Sequence, residues 1–180
     1  AVGSRMRDLA RDPARFLGII RLSGRGDAYQ VTGSGQDPLL FEPTSELPSH
    51  LLIHEFFLDR RNGNRVVLHA HPDELVALTH LPVGRNARSM NRILRAMHPE
   101  IEFFIPRGVG LVPLLKPGSP ALGQATVRAL RRHDIVLWKK HGCLATGSDI
   151  TDVFDLVDVL NKSANIYFMR CRAIHNKKNL

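Results

Sequence analysis

The stretch Val66-Val67-Leu68-His69-Ala70-His71-Pro72 constrains this chain more than any other. Branched and aliphatic residues read as a buried strand, and the strand stops at Pro72, which cannot donate to a ladder. On extended backbone, residues two apart share a side, so the rings of His69 and His71 project together from the strand's end. Pro72 also suits the first turn of a helix, which Asp73-Glu74-Leu75-Val76-Ala77-Leu78-Thr79 then supplies. Paired imidazoles at such a junction are half of a metal site.

A second apolar run, Asp134-Ile135-Val136-Leu137-Trp138, is a buried strand that delivers His141-Gly142. Three neutral imidazoles from strand ends, His69, His71 and His141, suit a zinc ion and leave a fourth position for substrate. Iron, cobalt, nickel and manganese accept the same donors. The plain alternative is strand-end histidines hydrogen-bonded to backbone or water. A competing set is Glu46, His50 and His54, spaced at i, i+4 and i+8 on a helix, but the glutamate that the metalloprotease motif carries between its two histidines is absent, and position 53 is Ile. Glu46 either caps that helix or serves as a proton carrier beside a metal. Ser45 and Cys143 have no adjacent His–Asp order that would make a nucleophile of either. For His80, His98, His133 and His175, surface or capping roles are expected.

The remaining elements alternate. Phe16–Leu22 and Ala28–Val31 read as a hairpin, whose turn contains Arg25-Gly26-Asp27; that tripeptide is a turn here rather than an adhesion motif. Thr32-Gly33-Ser34-Gly35 is read as a connector, because no helix start follows it. A helix opens within Pro43–His50, with Thr44 and Ser45 as caps, and runs to about Leu58. A further helix covers Asn86–Met97. Ile101–Ile105 and Gly110–Val112 read as strands around a bend at Pro106-Arg107-Gly108. Ser119-Pro120 starts a helix running to about Arg132, and Ser148 or Asp149 caps a long last helix with Val153, Leu156, Val157, Leu160, Ala164 and Tyr167 inward. This is a layered α/β chain, expected to be one domain over residues 1–180.

Composition narrows the function. No apolar run approaches the roughly 20 residues of a membrane span, so no membrane partner is expected. Cys143 and Cys171 form no CxxC pair, which fits a reducing cytoplasm. The formal charge of +8 raises nucleic acid as a partner. The basic residues are dispersed, however, and the groups Arg5/Arg7/Arg11/Arg15 and Arg88/Arg92/Arg95 accompany no zinc-finger or RNA-binding signature. No nucleic acid is expected.

With these residues assembled, the chain resembles the class II, metal-dependent sugar-phosphate aldolases, closest to members acting on L-rhamnulose 1-phosphate. The resemblance runs from Val2-Gly3-Ser4-Arg5 to about Met169. It is carried by Pro43-Thr44-Ser45-Glu46-Leu47-Pro48, by His69-Ala70-His71-Pro72 with Ala77-Leu78-Thr79, and by Gly108-Val109-Gly110. Val136-Leu137-Trp138-Lys139-Lys140-His141-Gly142 and Asn161-Lys162-Ser163-Ala164 complete it. The resemblance implies a three-layer α/β/α sandwich with a mainly antiparallel central sheet, assembled as a homotetramer with sites at subunit interfaces. It implies one Zn2+ per subunit on His69, His71 and His141, with Glu46 as catalytic acid/base. Gly3, Ser4, Thr44 and Ser45 would hold the substrate phosphate. Glu100 falls where the family has a catalytic acid that reaches a neighbouring subunit's site and handles the aldehyde's hydroxyl. The implied reaction, part of rhamnose breakdown, is cleavage of L-rhamnulose 1-phosphate to dihydroxyacetone phosphate and L-lactaldehyde. Fuculose-phosphate aldolases, pentulose-phosphate 4-epimerases and a thioribulose-phosphate dehydratase share the pattern. An inactive truncated relative is a further alternative. The family's N-terminal Gly-Asn segment has no counterpart here, and its Thr-Gly phosphate loop stands as Val2-Gly3, so the chain reads as N-terminally shortened.

Overall fold

Ile135-Val136-Leu137-Trp138 is apolar at four consecutive positions, and every one is buried. Such a strand needs cover on both faces, and in the computed structural model it lies inside a four-stranded sheet. The structure describes residues 10–35, 41–60 and 63–177. Gly3 and Ser4, expected at the phosphate, lie outside the described residues. The chain divides into two compact units, Ala1–Leu47 and Pro48–Leu180.

In the first unit a single helical turn, α1 (Pro13–Phe16), is capped by Asp12. Strands β1 (Gly18–Leu22) and β2 (Tyr29–Ser34) pair antiparallel, with an irregularity between Ile19 and Ile20. Their turn holds Arg25-Gly26-Asp27. Gly26 takes φ +71°, and Ser23 Oγ donates to Asp27 Oδ1 at 2.7 Å. Thr32-Gly33-Ser34 is the end of β2 rather than a connector. Small residues carry too little apolar pattern to announce a strand, and pairing with β1 supplies the order instead.

The second unit contains β3 (Val66–Ala70), β4 (Val109–Val112), β5 (Ile135–Trp138) and β6 (Gly142–Gly147), in the order β3-β6-β5-β4. β3/β6 and β6/β5 are antiparallel, while β5/β4 is parallel. Helices α3 (Asp73–Leu78), α4 (Ala87–Met97), α5 (Glu100–Phe104) and α7 (Ile150–Lys177) bury Leu75, Leu94, Ile101 and Leu160 against one face, with Ile135, Leu137 and Cys143. Helices α2 (Leu47–Arg60) and α6 (Pro120–Leu130) bury Ile53, Phe57 and Leu122 against the other, with Val136, Trp138 and Leu144. The result is the expected three-layer α/β/α arrangement around a mainly antiparallel sheet. Ser119 caps α6 through Leu122 N, and Asn86 caps α4 through Ser89 N.

In the second unit, too, elements differ from the sequence expectation. Ile101–Ile105, expected as a strand, is the helix α5 and its C-cap. Ile101 and Ile105, four apart, are buried, whereas Phe103 is 81 % exposed; a strand would have put Phe103 on the side of both isoleucines. Pro99 already has helical dihedrals, and Glu100 and Glu102 suit the positive end of the first turn. The second element is β6, which sequence reading left without structure. It follows β5 after three residues, with Trp138 paired to Gly142.

Asn91 on α4 finishes the outer edge of β4. Its Oδ1 accepts from Val109 N at 2.7 Å, and its Nδ2 donates to Val109 O at 2.9 Å and Ala87 O at 2.8 Å. The side-chain amide thus imitates a neighbouring strand. Replacing Asn91 with Leu strands both backbone groups of Val109, and a loss of about 3 kcal/mol is expected. Urea denaturation checks this; an unchanged midpoint would contradict it.

Candidate metal centre

His69 is the fourth residue of β3 and pairs with Leu144, so its ring emerges on the face that carries Leu144 and Trp138. His71 follows just past the strand, and His141 ends the three-residue loop between β5 and β6. One donor atom from each of His69, His71 and His141 lies within 4.8 Å of the others. The ring centroids are 4.5 Å apart for His69 and His71, 5.0 Å for His69 and His141, and 5.2 Å for His71 and His141. Beneath them sits Trp138, its ring 4.4 Å from that of His69 and 5.1 Å from that of His141. The indole is fixed by Nε1 donating to the buried Thr126 hydroxyl at 2.9 Å.

Hydrogen bonding sets the tautomer of His69. Its Nδ1 stands 2.8 Å from the Cys143 carbonyl. A carbonyl only accepts, so Nδ1 carries the proton and Nε2 presents a lone pair. That Nε2 is buried and has no hydrogen-bond partner. A backbone-anchored imidazole with a bare, buried lone pair is the state in which metal-binding histidines are held. Burial, and then the neighbouring His71, His141 and His50, press its pKa down to about 3 against the Cys143 hydrogen bond. His50 on α2 is pushed to about 4 by burial and by His54, and burial lowers His54 as well. The Cys143 thiol is driven up to about 12 by burial.

Close approach of backbones is also required. A Cβ on Gly142 would stand 2.5 Å from Ala70 O, 2.7 Å from His71 Cδ2 and 3.2 Å from His69 Cε1. Only glycine lets β6 begin so close to two of the three rings. Beside them a cleft of about 650 Å3 opens between α3 and α7, lined by His71, Asp73, Val76, His80, His141 and Phe168.

Among the described residues His69, His71 and His141 make a three-donor cluster; Glu46, His50 and His54 do not. His54 instead packs edge-on to Phe57 at 5.7 Å. Glu46 belongs to the first unit, in the turn leading to α2; it is 3 % exposed, and its N–H donates to Thr44 Oγ1 at 3.3 Å. Thr44 and Ser45 are exposed. Glu100 opens α5, with Oε2 3.6 Å from His98 Nε2 and 3.9 Å from Lys162 Nζ. His133 Nδ1 reaches the Arg107 and Gly108 carbonyls and holds the bend before β4. Sequence reading gave no role to Trp138 beyond the core, nor to Thr126, Thr79 or the Cys143 carbonyl. Their roles arise from tertiary register, which no local spacing encodes.

The family model for the class II aldolase and adducin N-terminal domain matches residues 21–168. Over 163 residues the chain is 40 % identical to rhamnulose-1-phosphate aldolase of Bacteroides thetaiotaomicron, covering 91 % of this chain and 59 % of that protein. Rhamnulose-1-phosphate aldolase of Escherichia coli is 34 % identical over 165 residues, with the same coverage. The chain therefore spans about 59 % of the length of these relatives. Among solved structures, a sugar-phosphate aldolase from Thermotoga maritima superposes with a TM-score of 0.83 at 33 % identity, covering 97 % of this chain and 70 % of that one. L-fuculose-1-phosphate aldolase from Thermus thermophilus shares the fold, with a TM-score of 0.58 at 21 % identity over 93 % of this chain and 91 % of that one.

The depressed histidines set a pH dependence. The unfolded chain takes up protons near the ordinary histidine pKa of about 6.5, while the folded chain keeps His69 and His50 neutral to about 3 and 4. The unfolded state therefore binds more protons across that window. Stability of the metal-free protein should be full above about pH 6.5 and fall as the pH drops toward 4. Urea midpoints across the range check the slope, and His50→Gln should flatten it.

Proposed function

The chain belongs to the class II aldolase and adducin N-terminal domain family, and on that premise we propose a metal-dependent aldolase that reversibly cleaves L-rhamnulose 1-phosphate to dihydroxyacetone phosphate and L-lactaldehyde. The observation that carries this reading is the convergence of three imidazoles beside a cleft, with the buried Nε2 of His69 bare of any hydrogen-bond partner. An all-imidazole donor set with an anchored tautomer fits a divalent ion, and zinc is the ion proposed, one per subunit. Held by His69, His71 and His141, it would supply Lewis-acid stabilisation of negative charge on substrate oxygens. Support for the substrate comes from relatives named rhamnulose-1-phosphate aldolase.

The remaining roles fall to the protein's own side chains. Glu46 exchanges the proton at the carbon released when the C–C bond breaks, as a positioned carboxylate can. Thr44 and Ser45, with Gly3 and Ser4, hold the phosphate, so that binding energy far from the reacting bond orients it. Glu100 handles the aldehyde's hydroxyl in a neighbouring subunit's site, which makes a homotetramer part of the proposal. The chain would work in the cytoplasm.

The test is metal analysis together with an aldol-cleavage assay of the chain in its native sequence context. His141→Ala is expected to lose the metal, and full zinc retention would remove the reading. Glu46→Gln should keep the metal while kcat falls by about 10²-fold or more. Turnover of pentulose phosphates by epimerisation instead of cleavage would transfer the site to that reaction. Metal binding with no turnover of any sugar phosphate would point to the inactive relative.

A further inference from the structure

The third imidazole is delivered by a loop that its own sequence does not favour. Between β5 and β6 the chain reads Lys139-Lys140-His141, and Lys140 takes φ +62°. Among the described residues it is the one non-glycine in the left-handed region. A lysine gains nothing there: its Cβ crowds the following carbonyl, and it lacks the short polar side chain with which Asn or Asp compensates. Such a residue persists only where its surroundings over-determine it.

Those surroundings come from α3. Thr79, at the C-cap of that helix, is 5 % exposed. Its hydroxyl donates to the Val76 carbonyl at 2.7 Å and accepts from the Lys140 N–H at 2.8 Å. Its one O–H is committed to Val76 and a lone pair is turned to Lys140, which fixes the hydroxyl's orientation. The ends of the loop are tied separately, by Lys139 N to Val112 O at 3.1 Å and His141 N to Trp138 O at 3.0 Å. The Lys140 amide between them is held by Thr79. Because α3 begins immediately after His71-Pro72, the same short helix follows two of the imidazoles and grips the loop that carries the third.

We propose that Thr79 is a positioning residue for the metal centre. Its hydroxyl holds Lys140 in the left-handed conformation and thereby keeps His141 in register with His69 and His71. This rests on the reading of those three histidines as metal ligands. Affinity for the ion is then set in part by a side chain that does not touch it, as supporting hydrogen bonds commonly do.

The experiment measures zinc affinity of the full chain by chelator competition. Thr79→Val keeps the shape and loses the hydroxyl; a fall of about 10- to 100-fold in affinity is expected. Thr79→Ser should stay within about threefold of the parent, since it keeps the same oxygen. Adding Lys140→Gly to Thr79→Val should recover most of the loss, because glycine takes positive φ without penalty. Affinity of Thr79→Val within threefold of the parent overturns the proposal, as does a double variant no better than Thr79→Val alone. Deuterium exchange of the unaltered protein gives a test independent of any variant. The Lys140 amide is expected to exchange slowly and to slow further with zinc; exchange at the rate of an open loop overturns the proposal. If the parent chain binds no zinc, the ligand reading fails. A protected Lys140 amide that loses protection in Thr79→Val would then still uphold the grip of Thr79 on the loop.

Discussion

The antiparallel pairing of β6 with both of its neighbours is the constraint on which the rest depends. β6 lies between β3 and β5, so its register decides which residues of each meet at one end of the sheet. Gly142 opposite Trp138 brings His141 up to the indole, and Cys143 opposite Ala70 places a carbonyl beside His69 Nδ1. A slip of one residue would send each side chain to the other face of the sheet and scatter the three rings. Register here is overdetermined, because every position of β5 and the first five of β6 are buried. The apolar core thus sets the position of the polar site.

Helices then adjust what the sheet has placed. α2 and α6 close the face under Trp138, and the Thr126 hydroxyl receives the indole N–H at a point where an unpaired donor would be costly. His50 on the same α2 adds to the field that keeps His69 neutral. α3 and α7 leave a cleft on the other side of the imidazoles, through which a small molecule can reach them. The fold therefore gives the histidines a closed, fixed side and an open one, the division a substrate-binding metal centre requires.

Much of this was legible in the residues themselves. His69 and His71 could be placed together because strand geometry has period two and Pro72 marks its end. His141 could be added because an apolar run led to it. Ser119-Pro120 announced its helix by capping chemistry that does not depend on the rest of the fold. Ile101-Glu102-Phe103-Phe104-Ile105 misled because its apolar letters satisfy two periods at once, and only packing left Phe103 in solvent. β6 was hidden for a related reason. A tight hairpin usually shows a Gly or Asn at its left-handed position, whereas here that position is Lys140, and the compensating contact comes from Thr79, 61 residues earlier. Glu46 was legible as part of a turn leading into a helix, and its burial was not.

Cys143 lies next to this centre in the chain and across the sheet from it in space. Alternation along β6 turns its side chain toward α3, α4 and α7, while its carbonyl serves His69. Its thiol, held protonated by burial, offers no thiolate at neutral pH. Among the described residues the three-donor cluster of His69, His71 and His141 therefore contains nitrogen donors alone, with no thiolate beside them to favour cuprous copper. Strand parity alone has separated a redox-sensitive atom from the three clustered imidazoles.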